Sequence, residues 1–166
     1  MSLVILNVGH TGAGKSYHTK NKILAKVNLP KFIFDPQNEY KEYGSSAVNL
    51  LRQDFVNKAV ELKKYCILFE EARMFFKFNN IPDDLVKLMI GKRHTGNLII
   101  FNFHALNQIP LDIFYYVNYI NLFHTNDRAD IIKTKFQDMP EIYEAFLRLR
   151  NSNIKYDYEV IKTMNQ

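Results

Sequence analysis

Residues 9–16 read GHTGAGKS, directly behind the apolar run LVILNV and ahead of SYHTKNKILAKV, which has the composition of a helix start. Glycine lacks the Cβ that forbids left-handed backbone, so Gly9, Gly12 and Gly14 allow a tight loop and close approach to a ligand. In such a loop successive N–H groups point at one spot beside a helix N-terminus, and that spot attracts an anion. The pattern G-x-x-x-x-G-K-[ST] therefore demands a strand, a turn and a helix in sequence. A turn that only joined strand to helix would need neither Lys15 nor Ser16. In this pattern the lysine reaches the β- and γ-phosphates of a nucleoside triphosphate, and the serine hydroxyl ligates Mg²⁺. The candidate nucleotide-binding set is Gly9, Thr11, Gly12, Ala13, Gly14, Lys15, Ser16 and Tyr17.

Four more apolar runs follow: KFIFD (31–35), YCILFE (65–70), NLIIFNF (97–103) and NYINLF (118–123). They lack clean alternation, as strands covered on both faces do. The segments between them are long enough for crossover helices. The expectation is an α/β fold of three layers, with a central, mostly parallel β-sheet flanked by helices. Ser45 and Ser46 are placed to cap a helix carrying Val48, Leu51, Phe55, Ala59 and Leu62. Pro82, Asp83 and Asp84 suit a helix start, with Gly91 as its end. Pro140 opens a helix with Ile142, Ala145, Phe146 and Leu149 on one face. The last segment, near 154–161, reads as an extra edge strand.

A chain of 166 residues suits one domain, 1–166. Its 47% hydrophobic and 23% charged residues argue against disorder. The net charge of +5 permits a polyanion partner without requiring one. Cys66 is the single cysteine, which excludes an internal disulfide framework and suits a buried strand residue in a reducing compartment. No apolar stretch reaches about 18 residues and the first ten residues lack a basic start, so the expectation is a cytoplasmic chain without stable membrane insertion.

Triphosphate hydrolysis needs a carboxylate near Mg²⁺ and a group that orients water. CILFEEA puts Glu70 and Glu71 at the end of a buried strand, suiting Glu70 for the metal and Glu71 for the water. A solvated acidic turn is the plainer alternative, and the phosphate loop about 55 residues earlier favours the functional one.

Together, GHTGAGKS and the strand-terminal acidic pair resemble the additional-strand class of P-loop ATPases. Within it the chain looks most like the FtsK–HerA superfamily of DNA-pumping motors, which includes viral genome-packaging ATPases. FIFDPQNEY, FEEARMFF and GKRHTGNLIIFNFHALNQIP carry the likeness further, over roughly residues 3–123. The resemblance implies that the strand beginning at Leu98 separates the acidic-pair strand from the P-loop strand. It implies Mg²⁺-dependent ATP hydrolysis coupled to movement of double-stranded DNA, in a homo-oligomeric ring, a hexamer by family habit. Capsid or portal-vertex proteins would be partners, in the host cytoplasm or the virion. Arg93 would act across subunits as a catalytic cation, and His104 would sense the γ-phosphate. Two departures stand out. The family usually has Asp-Glu where this chain has Glu70-Glu71, and commonly has Gln where it has His104. Gln108 takes the sensor role if the correspondence slips by one turn.

Other features have plainer readings. Arg128, Arg148 and Arg150 read as solvated surface charge. Asp35 suits either a nucleotide or inter-subunit contact or an Asx-type turn before Pro36. Phe75, Phe76 and Phe78 suit core packing better than a partner surface or stacking on DNA bases. His10, His18, His94 and His124 lack metal-ligand spacing, so no zinc is expected. Two other functions stay open: a small-molecule or nucleotide kinase, for which no Arg-rich lid is evident, and a non-hydrolysing nucleotide-binding factor in phage assembly or secretion.

Overall fold

The computed structural model describes residues 2–77 and 80–163. Strands β1 (Leu3–Val8), β2 (Lys31–Phe34), β3 (Ala47–Val48), β4 (Cys66–Phe69), β5 (Leu98–Phe103), β6 (Tyr119–Phe123) and β7 (Tyr158–Lys162) form one sheet in the order β3-β2-β4-β5-β1-β6-β7. Every pairing is parallel except that of β6 with the edge strand β7. The β5 strand lies between β1 and β4, in register from Leu3↔Leu98 to Val8↔Phe103 and from Cys66↔Leu98 to Phe69↔Phe101.

Alternation along each strand divides the core in two. Val4, Leu6 and Val8 of β1, Ile67 and Phe69 of β4, and Ile99, Phe101 and Phe103 of β5 face one layer. That layer is closed by α2 (Arg52–Glu61), α3 (Asp83–Thr95), α4 (Ala129–Lys135) and α5 (Pro140–Asn151). Ile5, Leu68 and Ile100 face the other layer, where α1 (Lys15–His18) continues as a π-helical segment, Thr19–Leu24, that buries Ile23 and Leu24. Burial on both faces is why the sequence shows apolar runs rather than alternation.

Three local expectations change. Ser45 and Ser46 cap no helix. They end a 3₁₀ segment, Lys41–Ser46, kinked at Gly44, and the next two residues pair with β2 as β3. The following helix starts only at Arg52, because backbone pairing to β2 holds Ala47 and Val48 extended. Gly91 does not end α3. The helix runs on to Thr95 and stops at Gly96, whose left-handed φ of 72° accepts the C-terminal turn at no steric cost. At the C-terminus the strand lies at Tyr158–Lys162, antiparallel to β6 from Tyr119↔Lys162 to Phe123↔Tyr158.

Phe75 and Phe76 belong to the core. Phe75 meets the rings of Phe34 and Phe69 edge-on, each at 4.8 Å. Phe78, grouped with them in the sequence, lies outside the described residues. Cys66 is fully buried, and burial pushes its thiol pKa up to about 12. No described helix is long and apolar enough to cross a membrane.

Candidate nucleotide site

The glycines of the loop do different work. Gly12 and Gly14 have φ of 84° and 99°, where a side chain would strain the backbone. Gly9 has an ordinary φ, but a Cβ there would lie 2.6 Å from Cβ of Phe123, so its role is close packing against β6. The loop is tied to the sheet by Gly9 N–H to Phe103 O at 3.1 Å and His10 N–H to His124 O at 2.9 Å. Ala13 is buried beneath it.

Beyond the C-terminal ends of β1, β4 and β5 lies a cleft of about 340 Å³. Thr11, Gly12, Gly14, Lys15, Ser16 and Tyr17 line one side, and Glu70, Glu71 and His104 the other, with Gln37 and Glu39 closing it. Lys15 is 5% exposed, with Nζ 3.5 Å from His10 O. Burial lowers its pKa, opposed by the charges of Glu70, Glu71 and Glu39. An anion entering the cleft would offset that burial further.

The two adjacent glutamates point into different surroundings. Glu70 is 6% exposed. It accepts hydrogen bonds from Tyr40 Oη at 2.6 Å, Asn102 Nδ2 at 2.5 Å and Ser16 Oγ at 3.3 Å. Burial raises its pKa against the pull of the Tyr40 and Asn102 hydrogen bonds. Glu71 is only partly buried and accepts from Gln37 Nε2 at 2.9 Å. His104 Nε2 lies 3.0 Å and 3.2 Å from its two oxygens. β4 ends at Phe69 and the chain turns at Glu70 and Glu71, with φ −102° and ψ 63° at Glu71, which separates a buried carboxylate from one that looks across the cleft.

Ser16 Oγ also lies 3.0 Å from Glu39 Oε2, so its single proton is shared between two carboxylates. This hard-oxygen set fits Mg²⁺, which takes one or two protein carboxylates and completes its shell with phosphate oxygens and water. An all-protein metal site is a different matter: among the described residues, no three His, Cys, Asp or Glu side chains cluster to hold an ion.

Glu39, Tyr40, Gln37 and Asn102 escaped the sequence reading of the site. The segment FIFDPQNEY contains the first three, but nothing in it says which side chains turn inward. Asp35 decides that. Its carboxylate accepts the N–H groups of Glu39 at 2.8 Å and Tyr40 at 2.9 Å, which makes it the anchor of the turn. Asn102 belongs to a buried ladder on the α1 face of the sheet. Asn121 Nδ2 donates to Asn7 Oδ1 at 2.7 Å, Asn7 Nδ2 donates to Asn102 Oδ1 at 2.8 Å, and Asn102 donates onward to Glu70. Thr19 Oγ1 receives Asn7 Nδ2 at 3.0 Å and donates to Lys15 O at 2.9 Å, which joins the ladder to the phosphate loop.

The remaining candidates lie elsewhere. Arg93 is exposed on the last turn of α3, just before β5 begins, whereas the cleft lies past the opposite end of that strand. Gln108 lines a neighbouring hollow with His10, Thr11 and His104, and its Oε1 is buried without a hydrogen-bond partner. Arg128 pairs with Asp130 and Arg148 with Glu159, both at 2.7 Å, and Arg150 is exposed.

No family profile matches the chain, and no curated protein does. Solved structures do. The genome packaging NTPase B204 from Sulfolobus turreted icosahedral virus 2, in complex with AMPPCP, superposes with a TM-score of 0.77 at 17% identity, over 98% of this chain and 93% of that one. B204, the DNA-packaging ATPase from Sulfolobus turreted icosahedral virus, gives 0.77 at 16% identity with the same coverage. The complex of the first with ATP-gammaS gives 0.75 at 16%. This chain shares their fold, a mostly parallel α/β sheet with flanking helices, over nearly its whole length.

Proposed function

We propose that this chain is an ATPase of the FtsK–HerA superfamily that translocates double-stranded DNA during viral genome packaging, working as a homo-oligomeric ring. The observation that carries the reading is the cleft. A glycine loop with Lys15 and Ser16 faces a strand-end pair in which Glu70 is buried on the Ser16 hydroxyl and Glu71 is held toward the opening by His104 and Gln37. The fold shared with packaging NTPases supports the motor assignment.

Lys15 and the N–H groups of the loop hold the β- and γ-phosphates. Ser16 and Glu70, with Glu39 beside them, supply the oxygens for Mg²⁺, which neutralises charge on the phosphates when bound. Glu71 accepts a proton of the attacking water and sets its line of approach. His104 Nε2–H divides its hydrogen bond between Glu71 and a γ-phosphate oxygen, so loss of that phosphate returns it to Glu71. Arg93 serves the site of a neighbouring subunit, since its own cleft lies at the other end of β5. A hexamer, capsid or portal-vertex partners, and action in the host cytoplasm or the virion complete the reading. A kinase would need an acceptor group, and an acid at the end of β2 could serve as one, but Asp35 there is committed to two backbone N–H groups.

The test is ATP turnover with and without double-stranded DNA across protein concentrations, for the wild type and Glu71→Gln. Stimulation by DNA and a rise in specific activity with concentration are expected. Turnover indifferent to DNA and to Glu71→Gln would overturn the motor.

A further inference from the structure

A second hollow, of about 520 Å³, adjoins the cleft and shares Gly14 and Tyr17 with it. Its floor is aromatic, with Phe123 and His18 buried and Tyr158 exposed. The Phe123 and Tyr158 rings stack at 5.2 Å, and His18 meets them edge-on at 5.4 Å and 4.6 Å. Its walls are two exposed rings, Tyr17 at 68% and Tyr156 at 57%. Tyr156 stands against the phosphate loop, since a Cβ on Gly14 would lie 3.4 Å from its Cδ1. Two supports position it: β7, which pairs with β6, and His124 Nε2, which lies 3.0 Å from Ile154 O.

We propose that this hollow holds the base of the bound nucleotide by stacking against Tyr156 and Tyr17, and that it accepts adenine and guanine alike. The proposal rests on the triphosphate reading of the cleft. A ligand with its phosphates on Gly14 and Lys15 has its base one ribose away, and the hollow opens from those same residues. Every base has a π-face, and stacking on an aromatic side chain contributes about 1–3 kcal/mol whatever the base. Lys155 Nζ sits 5.0 Å from the Tyr156 centroid, but an exposed cation–π contact is worth only about 0.5–1 kcal/mol, so a base displaces it. Strong discrimination between bases needs desolvated donors and acceptors aimed at the base edge. The polar groups on the walls are instead the exposed Lys22 ammonium and the hydroxyls of exposed tyrosines, and the buried polar side chain of the floor, His18, is turned edge-on to the Phe123 and Tyr158 rings.

Competition of ATP, GTP and inorganic tripolyphosphate against a fluorescent nucleotide tests this on the wild type, Tyr156→Ala and Tyr156→Phe. ATP and GTP are expected to bind within about fivefold of each other. Tyr156→Ala weakens both by about tenfold, leaves tripolyphosphate unchanged, and Tyr156→Phe recovers the affinity. Unchanged tripolyphosphate affinity also reports an intact fold. Wild-type ATP affinity in Tyr156→Ala, or GTP binding weaker than ATP by about a hundredfold, would overturn the base site. Failure of all three ligands to bind the wild type would instead sink the triphosphate reading beneath it.

Discussion

His104 Nε2 lies 3.0 Å from Glu71 Oε2, while its other ring nitrogen, Nδ1, is buried without a hydrogen-bond partner. The imidazole is held from one side only, by the carboxylate proposed to orient water. A ring tethered this way can turn toward a new acceptor at the cost of one hydrogen bond.

Glu71→Gln is expected to lower ATP turnover by about 10²–10⁴-fold, the range for loss of a positioned acid–base group, with nucleotide affinity nearly unchanged. His104→Ala should fall short of that, because Gln37 still holds Glu71. Steady-state turnover and nucleotide titration, measured separately, check both.

Glu70 makes the ligand-free protein sensitive to pH. Burial raises its folded pKa above the unfolded value, so the folded state binds the extra proton. The stability this confers is fully present below the unfolded pKa and is lost as pH rises through the folded one. Glu70→Gln keeps an oxygen for Tyr40 and Asn102 and removes the charge. It is expected to flatten the fall in stability with rising pH, to stabilise the free protein by about 1 kcal/mol at neutral pH, and to weaken Mg²⁺–nucleotide binding. Denaturant melts at several pH values decide it.

Two glycines respond oppositely to one added methyl group. Gly9→Ala drives a Cβ to 2.6 Å from that of Phe123 and should destabilise by about 1–3 kcal/mol. Gly91 lies inside α3 with nothing within 4 Å of its would-be Cβ, so Gly91→Ala should stabilise by about 0.5–1 kcal/mol. Thermal unfolding of the pair gives the sign of each.

Asn7→Ala removes the middle rung of the ladder and leaves Asn121 Nδ2 and Asn102 Oδ1 without their partner. The expected cost is about 2–4 kcal/mol, since each buried polar group left unpaired costs about 1–3 kcal/mol. A double-mutant cycle with Asn121→Ala should show coupling, and strict additivity would refute a connected ladder.

Arg93→Ala and Glu71→Gln should each strongly lower turnover alone, yet recover part of it when mixed. A subunit with intact Glu71 would then meet a neighbour with intact Arg93. Recovery fails if Arg93 acts within its own chain.

The sequence by itself determined the five buried strands and the glycine loop. Runs such as LVILNV and NLIIFNF are apolar because both faces of their strands are buried, and that is a local property of composition. The loop was legible because its chemistry needs glycines, a lysine and a hydroxyl at fixed spacing along one short segment. Glu70 and Glu71 were legible as strand-end acids, but not as a buried carboxylate beside a cleft-facing one. The tertiary structure decided everything that depends on which segments meet. Register across β6, β1, β5 and β4 brings Asn121, Asn7, Asn102 and Glu70 into one line, although Asn7 and Asn121 are 114 residues apart. The Asp35 turn sends Tyr40 and Glu39 into the site, pairing to β2 turns an expected helix start into β3, and β7 carries Tyr156 to the phosphate loop. Such contacts join residues with no spacing rule between them, because strand pairing rather than chain distance sets their separation.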